Sequence, residues 1–168
     1  MKQILLSMSM LFAMSVNAQD CSELFISEYI EGPGNNNAIE IYNPTNATID
    51  LSQYMIVRYS NGATSATAEY AVQLSGSIAP YDVYVGVVDK QDPNGTGNEA
   101  PVWDSLAVRA DGWYSPDYLV NKTWYWNGND AVVLAKGTPA DIPGAQLIDV
   151  FGKIGENPGS GTGAGWTS

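Results

Sequence analysis

The sequence predicts an all-β fold, a two-sheet sandwich or a small barrel, carrying one short helix. Three observations point there. Short β-rich runs alternate apolar and polar side chains. Clusters of Gly, Pro, Asn and Asp separate them at close intervals, as in all-β domains. Apolar residues at helical spacing are nearly absent.

The elements follow in order. Leu24 to Ile30 alternates, with Leu24, Ile26 and Ile30 on one side. Gly-Pro-Gly-Asn-Asn-Asn then reads as a turn, and Ala38 to Asn43 resumes with Ile39 and Ile41 inward. Thr48 to Leu51 is a short strand. Gln53 to Tyr59 sets Met55, Val57 and Tyr59 against Tyr54, Ile56 and Arg58. Tyr70 to Leu74 and Tyr81 to Val88 flank the turn residues Ser75-Gly76-Ser77 and Ala79-Pro80. Lys122 to Trp126 and Ala131 to Ala135 flank Asn127-Gly128-Asn129-Asp130, and Asn-Gly between β-rich runs is a strong hairpin signal. Leu147 to Ile154 is the last apolar run. The single helix candidate is Pro101 to Asp111, with proline in the first turn, Val102, Leu106 and Ala110 at four-residue steps, and Gly112 to end it. Asp89 to Ala100 and Asn157 to Gly165 are loops by composition, and the second is Gly-rich enough to be flexible.

The first residues have the layout of a secretory signal peptide. Lys2 starts it, Ile4 to Met14 is apolar but too short to span a membrane, and Val16-Asn17-Ala18 ends it with small residues. Cleavage after Ala18 would leave Gln19 first. Cys21, the one cysteine, lies just beyond. Gln19-Asp20 before it do not suit a lipid-anchor signal. One thiol makes no internal disulfide, so the roughly 150 remaining residues must be held by their own core.

The net charge is −11, with no histidine and two arginines, Arg58 and Arg109. Four lysines besides Lys2 are scattered. Nucleic-acid affinity needs clustered cations against phosphate, so nucleic acid is not an expected partner. Without histidine, Ser-His-Asp and Cys-His catalysis and His-based metal sites are excluded. A carboxylate pair or an oxygen-ligated calcium ion remains. Glu28, Glu31 and Glu40 are candidate carboxylates. Glu28 and Glu40 lie on adjacent predicted strands, where close approach would raise a pKa. The simpler reading is polar residues on a solvated strand face. The second loop, "DKQDPNGTGNEA", partly fits a calcium loop. Lys90 and Pro101 fall where the first and last acidic ligands belong, which removes the EF-hand. A looser oxygen site from Asp89, Asp92, Asn94 and Glu99 stays open beside a plain solvated loop.

Five Trp and ten Tyr include the dense runs "WYSPDY" and "TWYWNGND". Exposed, Trp113, Tyr114, Trp124 and Trp126 would stack on sugar rings. Buried, they would fill a sandwich core, which is the favoured reading. Asn46-Ala47-Thr48, Asn94-Gly95-Thr96 and Asn121-Lys122-Thr123 fit the N-glycosylation sequon.

"LFISEYIEGPGNNNAIEIYNPTNATIDLSQYMI", Leu24 to Ile56, resembles the opening of a lamin tail domain of the bacterial secreted kind. Ser27, Glu28, Glu40, Tyr42, Asn43, Asp50, Leu51 and Ser52 carry the resemblance in order. "WNGNDAVVLAKG" (Trp126 to Gly137) and "LIDVFGKIGENPGSGTGAGW" (Leu147 to Trp166) resemble later segments of the same family. The resemblance implies an immunoglobulin-like β-sandwich over 23–156, without a catalytic centre, after a signal peptide at 1–18. Residues 157–168 form a Gly-rich tail. The family usually continues beyond the late Trp with another strand, so either the chain is cut short there or the sandwich closes without it. A cut would leave an unpaired edge for association. The implied role is a secreted or cell-surface module that binds or tethers a protein or glycan. The alternatives are an N-terminal accessory module of a larger secreted hydrolase, a nuclease or phosphoesterase, and a glycan-binding module. No cofactor is expected beyond the calcium site left open above.

Overall fold

The computed structural model describes residues 22–159 and 165–166. The expectations of a signal peptide at residues 1–18 and of the thiol at Cys21 lie outside the described residues, as does most of the Gly-rich tail.

The run "SEYIEGPGNNNAIEIY" folds as a hairpin. Strand β1 (Phe25–Gly32) pairs antiparallel with β2 (Asn36–Tyr42), from Phe25↔Tyr42 to Gly32↔Asn36. Pro33, Gly34 and Asn35 make the connection. Gly34 and Asn35 both take left-handed conformations, with φ of 69° and 58°, which glycine and asparagine tolerate. A bulge between Ile26 and Glu28 breaks the simple alternation of β1. Tyr29 therefore packs against the core as Ile26 and Ile30 do.

The remaining strands are β3 (Ile49–Asp50), β4 (Tyr54–Tyr59), β5 (Ala71–Gln73), β6 (Ser77–Ile78), β7 (Val83–Val88), β8 (Gly112–Tyr114), β9 (Ala131–Lys136) and β10 (Gln146–Phe151). They form two four-stranded sheets, ordered β1-β2-β7-β8 and β10-β9-β4-β5, with a small β3-β6 ladder. The sheets meet along one side where the β1 and β10 edges approach. There the Asp149 carboxylate accepts from the Ile26 amide at 2.8 Å, and the Tyr29 and Phe151 rings stack at 3.8 Å. This is an immunoglobulin-like β-sandwich, as the sequence and its resemblance indicate.

Strands β4 and β9 are buried on both faces. Tyr54, Ile56, Val132 and Leu134 join the main core. Met55, Val57, Ala71, Val133 and Ala135 form a second cluster, covered by Ala66, Ile142, Ala145 and Ile154 from crossing loops. Both alternating sets in β4 are apolar up to Val57 because both faces are covered, and the buried Arg58 that follows is paired with Asp130.

Three expectations need correction. The segment Lys122 to Trp126 is not a strand. Its carbonyls at Trp124 and Trp126 both accept from the buried Asn37 amide, each at 3.0 Å, so a side chain satisfies them instead of a neighbouring strand. Asn127-Gly128 is accordingly not a hairpin turn, because β9 pairs with β4 and β10. The helix is only Asp104–Ala107. The Val102 and Trp103 amides donate to Lys90 O and to the Asn36 side chain, which holds Pro101 to Trp103 outside helical geometry. Strand β8, only three residues long, pairs parallel with β7 and was not legible in sequence.

Candidate functional site

Loops carry binding surfaces only when something holds them still. Three polar anchors, built on the buried side chains of Asn43, Asp130 and Ser115, do so here. Asn43, fully buried, donates to the carbonyls of Ala47, Ile78 and Ala79 at 2.7, 3.2 and 2.9 Å and accepts from the Thr45 amide and hydroxyl. It ties the loop after β2 to the end of β6. Asp130, also fully buried, accepts from Arg58 Nε at 2.8 Å, the Asn61 amide at 2.7 Å and the Asn127 amide at 2.9 Å. The Trp166 indole donates to the Asp130 carbonyl at 2.8 Å. The paired charges are taken out of water, so each depends on the other and on these extra donors.

The third anchor is the pair Ser115 and Asn121. Ser115, buried at φ 55°, donates its hydroxyl to Asn121 Oδ1 at 2.5 Å and accepts from the Trp124 amide. Asn121 Nδ2 donates to Ala71 O at 2.9 Å, and the Tyr125 hydroxyl donates to Ser115 O. Between these two residues Asp117 closes a tight turn. Its carboxylate accepts from the Leu119 amide and its carbonyl from the Val120 and Asn121 amides. The turn presents Leu119 and Val120 at 84 % and 73 % exposure, with Tyr118 beside them. Lys122 braces the base by its ion pair with Glu69 at 2.7 Å, and its ammonium lies 5.4 Å from the Tyr70 ring centre and 5.7 Å from that of Tyr118. The Glu69 carboxylate bonded to it raises the Lys122 pKa. Two exposed aliphatic side chains on a fully tied loop are a built surface feature, since nothing in the fold needs them there.

The site residues expected from sequence lie elsewhere. Trp113 is half-buried against the core, and Tyr114, Trp124 and Trp126 are buried in it. Trp124 stacks on Tyr114 at 4.6 Å, and its indole donates to Gly86 O. Gly86 is glycine because a Cβ there would sit 2.8 Å from the indole. The Trp126 indole donates to Ile30 O at 3.1 Å. The expectation of a stacking surface from these four rings is corrected at Tyr114, Trp124 and Trp126, where burial removes the faces a sugar would use, and the half-buried Trp113 alone does not make that surface.

The loop carboxylates do not converge either. Asp89 binds the Gln91 side chain, Asp92 accepts from the Asn94 amide and side chain, and Glu99 reaches back to the buried ammonium of Lys90. Among the described residues no three acidic, Cys or His side chains are grouped as metal ligands. Glu28 and Glu40 do pair across β1 and β2, but Glu28 is exposed and Glu40 accepts from the Ser27 hydroxyl at 2.7 Å. Glu31 accepts from the Tyr29 hydroxyl. The sequon at Asn121 is absorbed into the fold, since its amide is hydrogen-bonded and Thr123 is fully buried. Sequence reasoning missed Leu119 and Val120. The signal was present as an aliphatic pair inside a Pro-Asp-Asn loop, where such side chains have no strand or helix to serve.

The fold and the placement of its polar groups define an immunoglobulin-like domain whose buried polar side chains tie loops together. The family model of the Lamin Tail Domain matches residues 17–152, and the chain belongs to that family, one of non-catalytic immunoglobulin-like domains. No curated protein matches it. No helix among the described residues is long and apolar enough to cross a membrane.

Proposed function

We propose that this domain is a non-catalytic binding and tethering module, exported by its signal peptide, that docks a partner protein through Tyr118, Leu119 and Val120. The observation that carries this reading is the rigid base under an exposed aliphatic pair. Burying each aliphatic side chain in a partner's apolar pocket supplies about 1.5–3 kcal/mol. The loop pays little ordering entropy on binding, because Ser115, Asp117 and Asn121 already hold it. A protein pocket suits the loop better than an anionic membrane, which the charge of −11 repels.

The test is a photo-crosslinking residue at position 119 in the exported protein, with position 108 as the control. Val108 is equally exposed, at 79 %, on a different element. A discrete protein adduct from 119 and none from 108 supports the reading. Identical patterns from both, or none from either, reject it. Separately, metal-dependent cleavage of phosphodiesters by the purified chain would defeat the non-catalytic assignment.

A further inference from the structure

A tether needs two ends, and the molecule carries a second built feature that shares no residue with the Tyr118–Val120 loop. Ala79-Pro80-Tyr81-Asp82 is a tight turn closed by the Asp82 amide on Ala79 O at 3.3 Å. Proline precedes a residue with φ of 58°, and that residue is Tyr81. Glycine or asparagine ordinarily takes this position, because a larger side chain there is strained. Tyr81 gains no burial in compensation, being 63 % exposed. Its hydroxyl has no hydrogen-bond partner among the described residues.

Ala79, Asp82 and Val83 of this same stretch line a groove of about 610 Å³, which is also lined by Thr48, Ser75, Ser77, Tyr84 and Asp111. Its lining is rich in hydroxyls and holds two carboxylates. The Asp82 carboxylate accepts from the Val83 amide at 2.9 Å through one oxygen, and that of Asp111 from the Val85 amide at 2.8 Å. The other oxygen of each has no partner among the described residues, and neither aspartate is in an ion pair there. The backbone thus orients each carboxylate through one of its oxygens.

We infer that this groove, together with Tyr81 in the turn between its lining residues Ala79 and Asp82, binds a neutral oligosaccharide. Sugar hydroxyls donate to the free oxygens of Asp82 and Asp111 and accept from Ser75, Ser77 and Thr48. The apolar face of a pyranose ring lies against the exposed tyrosine, as amphipathic aromatic rings allow. The two unpaired carboxylates disfavour uronate, sulfate and phosphate groups. The inference keeps a glycan ligand but moves its site from the buried tryptophans to Tyr81. It deepens the binding-module reading without depending on the Leu119 contact.

The test is an amide-shift titration of the full purified chain with maltohexaose, cellohexaose, xylohexaose and mannohexaose at millimolar concentration. The expected result is that one of them perturbs Ser77, Tyr81, Asp82 and Asp111 together. Tyr81→Ala should then bind about ten-fold more weakly, and Tyr81→Phe should bind as the wild type. Tyr81→Gly should lose binding while raising Tm, because it removes the ring and relieves the backbone. Silence with all four sugars overturns the inference, as do shifts confined to other surfaces, unaltered binding by Tyr81→Ala, or tighter binding of a polyuronate. Crosslinking from position 119 is read in the same variants, so loss of the glycan site and loss of the protein-docking site give separate signals.

Discussion

Two Asn-, Asp- and Gly-rich stretches look alike in sequence and behave differently in the fold. In "WNGND", the Asp130 carboxylate bonds to Arg58 and Asn61, which lie 72 and 69 residues away in the chain. Asn129, nearly fully buried, reaches Asn61 and Asn157. In "DKQDPNGTGNEA", Asp89 and Asp92 bond to Gln91 and Asn94, two residues away, with Asp89 half-buried and Asp92 exposed. Composition makes both stretches turns. Only burial makes one of them an anchor, because a polar group removed from water must find protein partners while a solvated one need not. The lesson extends to Asn43, whose side chain does for the β2–β6 region what Asp130 does for the β4–β9 region.

The largest expected effect comes from removing the anchor itself. Asp130→Ala leaves Arg58 buried and unpaired and should cost about 3–5 kcal/mol in urea unfolding. A loss under about 1 kcal/mol would show that water or rearrangement replaces the carboxylate, and the contrast between the two loops would collapse. Asn43→Ala comes next, at about 2–3 kcal/mol, since it strands three buried or part-buried carbonyls at once. The same denaturation measurement checks it.

High pH sharpens the contrast through burial of a different kind. Burial pushes the phenols of Tyr29, Tyr54 and Tyr84 well above the ordinary value of 10.0, helped by hydrogen bonds to Glu31, Glu23 and Tyr114 respectively. The folded state therefore keeps protons that the unfolded chain releases. That contribution to stability is complete below about pH 10 and is lost as pH rises beyond it. Melting curves should fall steeply above about pH 10, and Tyr84→Phe should soften the fall. A flat alkaline profile would mean these hydroxyls exchange their partners for water.

The smallest effect belongs to the solvated loop. Asp92→Ala should change stability by no more than about 0.5 kcal/mol. Calcium and EDTA should leave Tm where it is, because the loop carboxylates point to separate partners. A Tm rise with calcium would mean that Asp89, Asp92, Asn94 and Glu99 close round the ion, making the second loop an anchor too.

Much of the architecture was legible because it rests on local rules. The alternation in Ala38 to Asn43 and Gln53 to Tyr59 marks β2 and β4 to within two residues. Gly34-Asn35 marks the turn, because few residues accept its left-handed backbone. Asp50-Leu51-Ser52, read in sequence only as part of the family resemblance, proves to be a cap, in which the Asp50 carboxylate takes the Ser52 amide and hydroxyl and is held below its usual pKa by those bonds. The candidate site was less legible. The aromatic run Trp124-Tyr125-Trp126 reads equally as an exposed surface or a filled interior, and only the position of Asn37 under its carbonyls decides. Leu119 is marked only as part of an aliphatic pair inside a Pro-Asp-Asn loop, and Tyr81 carries no local mark of its exposure, because exposure depends on which other elements fail to cover a side chain.

The amino-acid sequence by itself determined the strands, most of the turns, the absence of histidine chemistry and the family, since each follows from side-chain type and near-neighbour spacing. The tertiary structure decided which Asn and Asp residues are anchors, which aromatic rings are core, and which loop stands out from the surface. Those properties are relations between residues far apart in the chain, and water is excluded from a group only when distant segments arrive together.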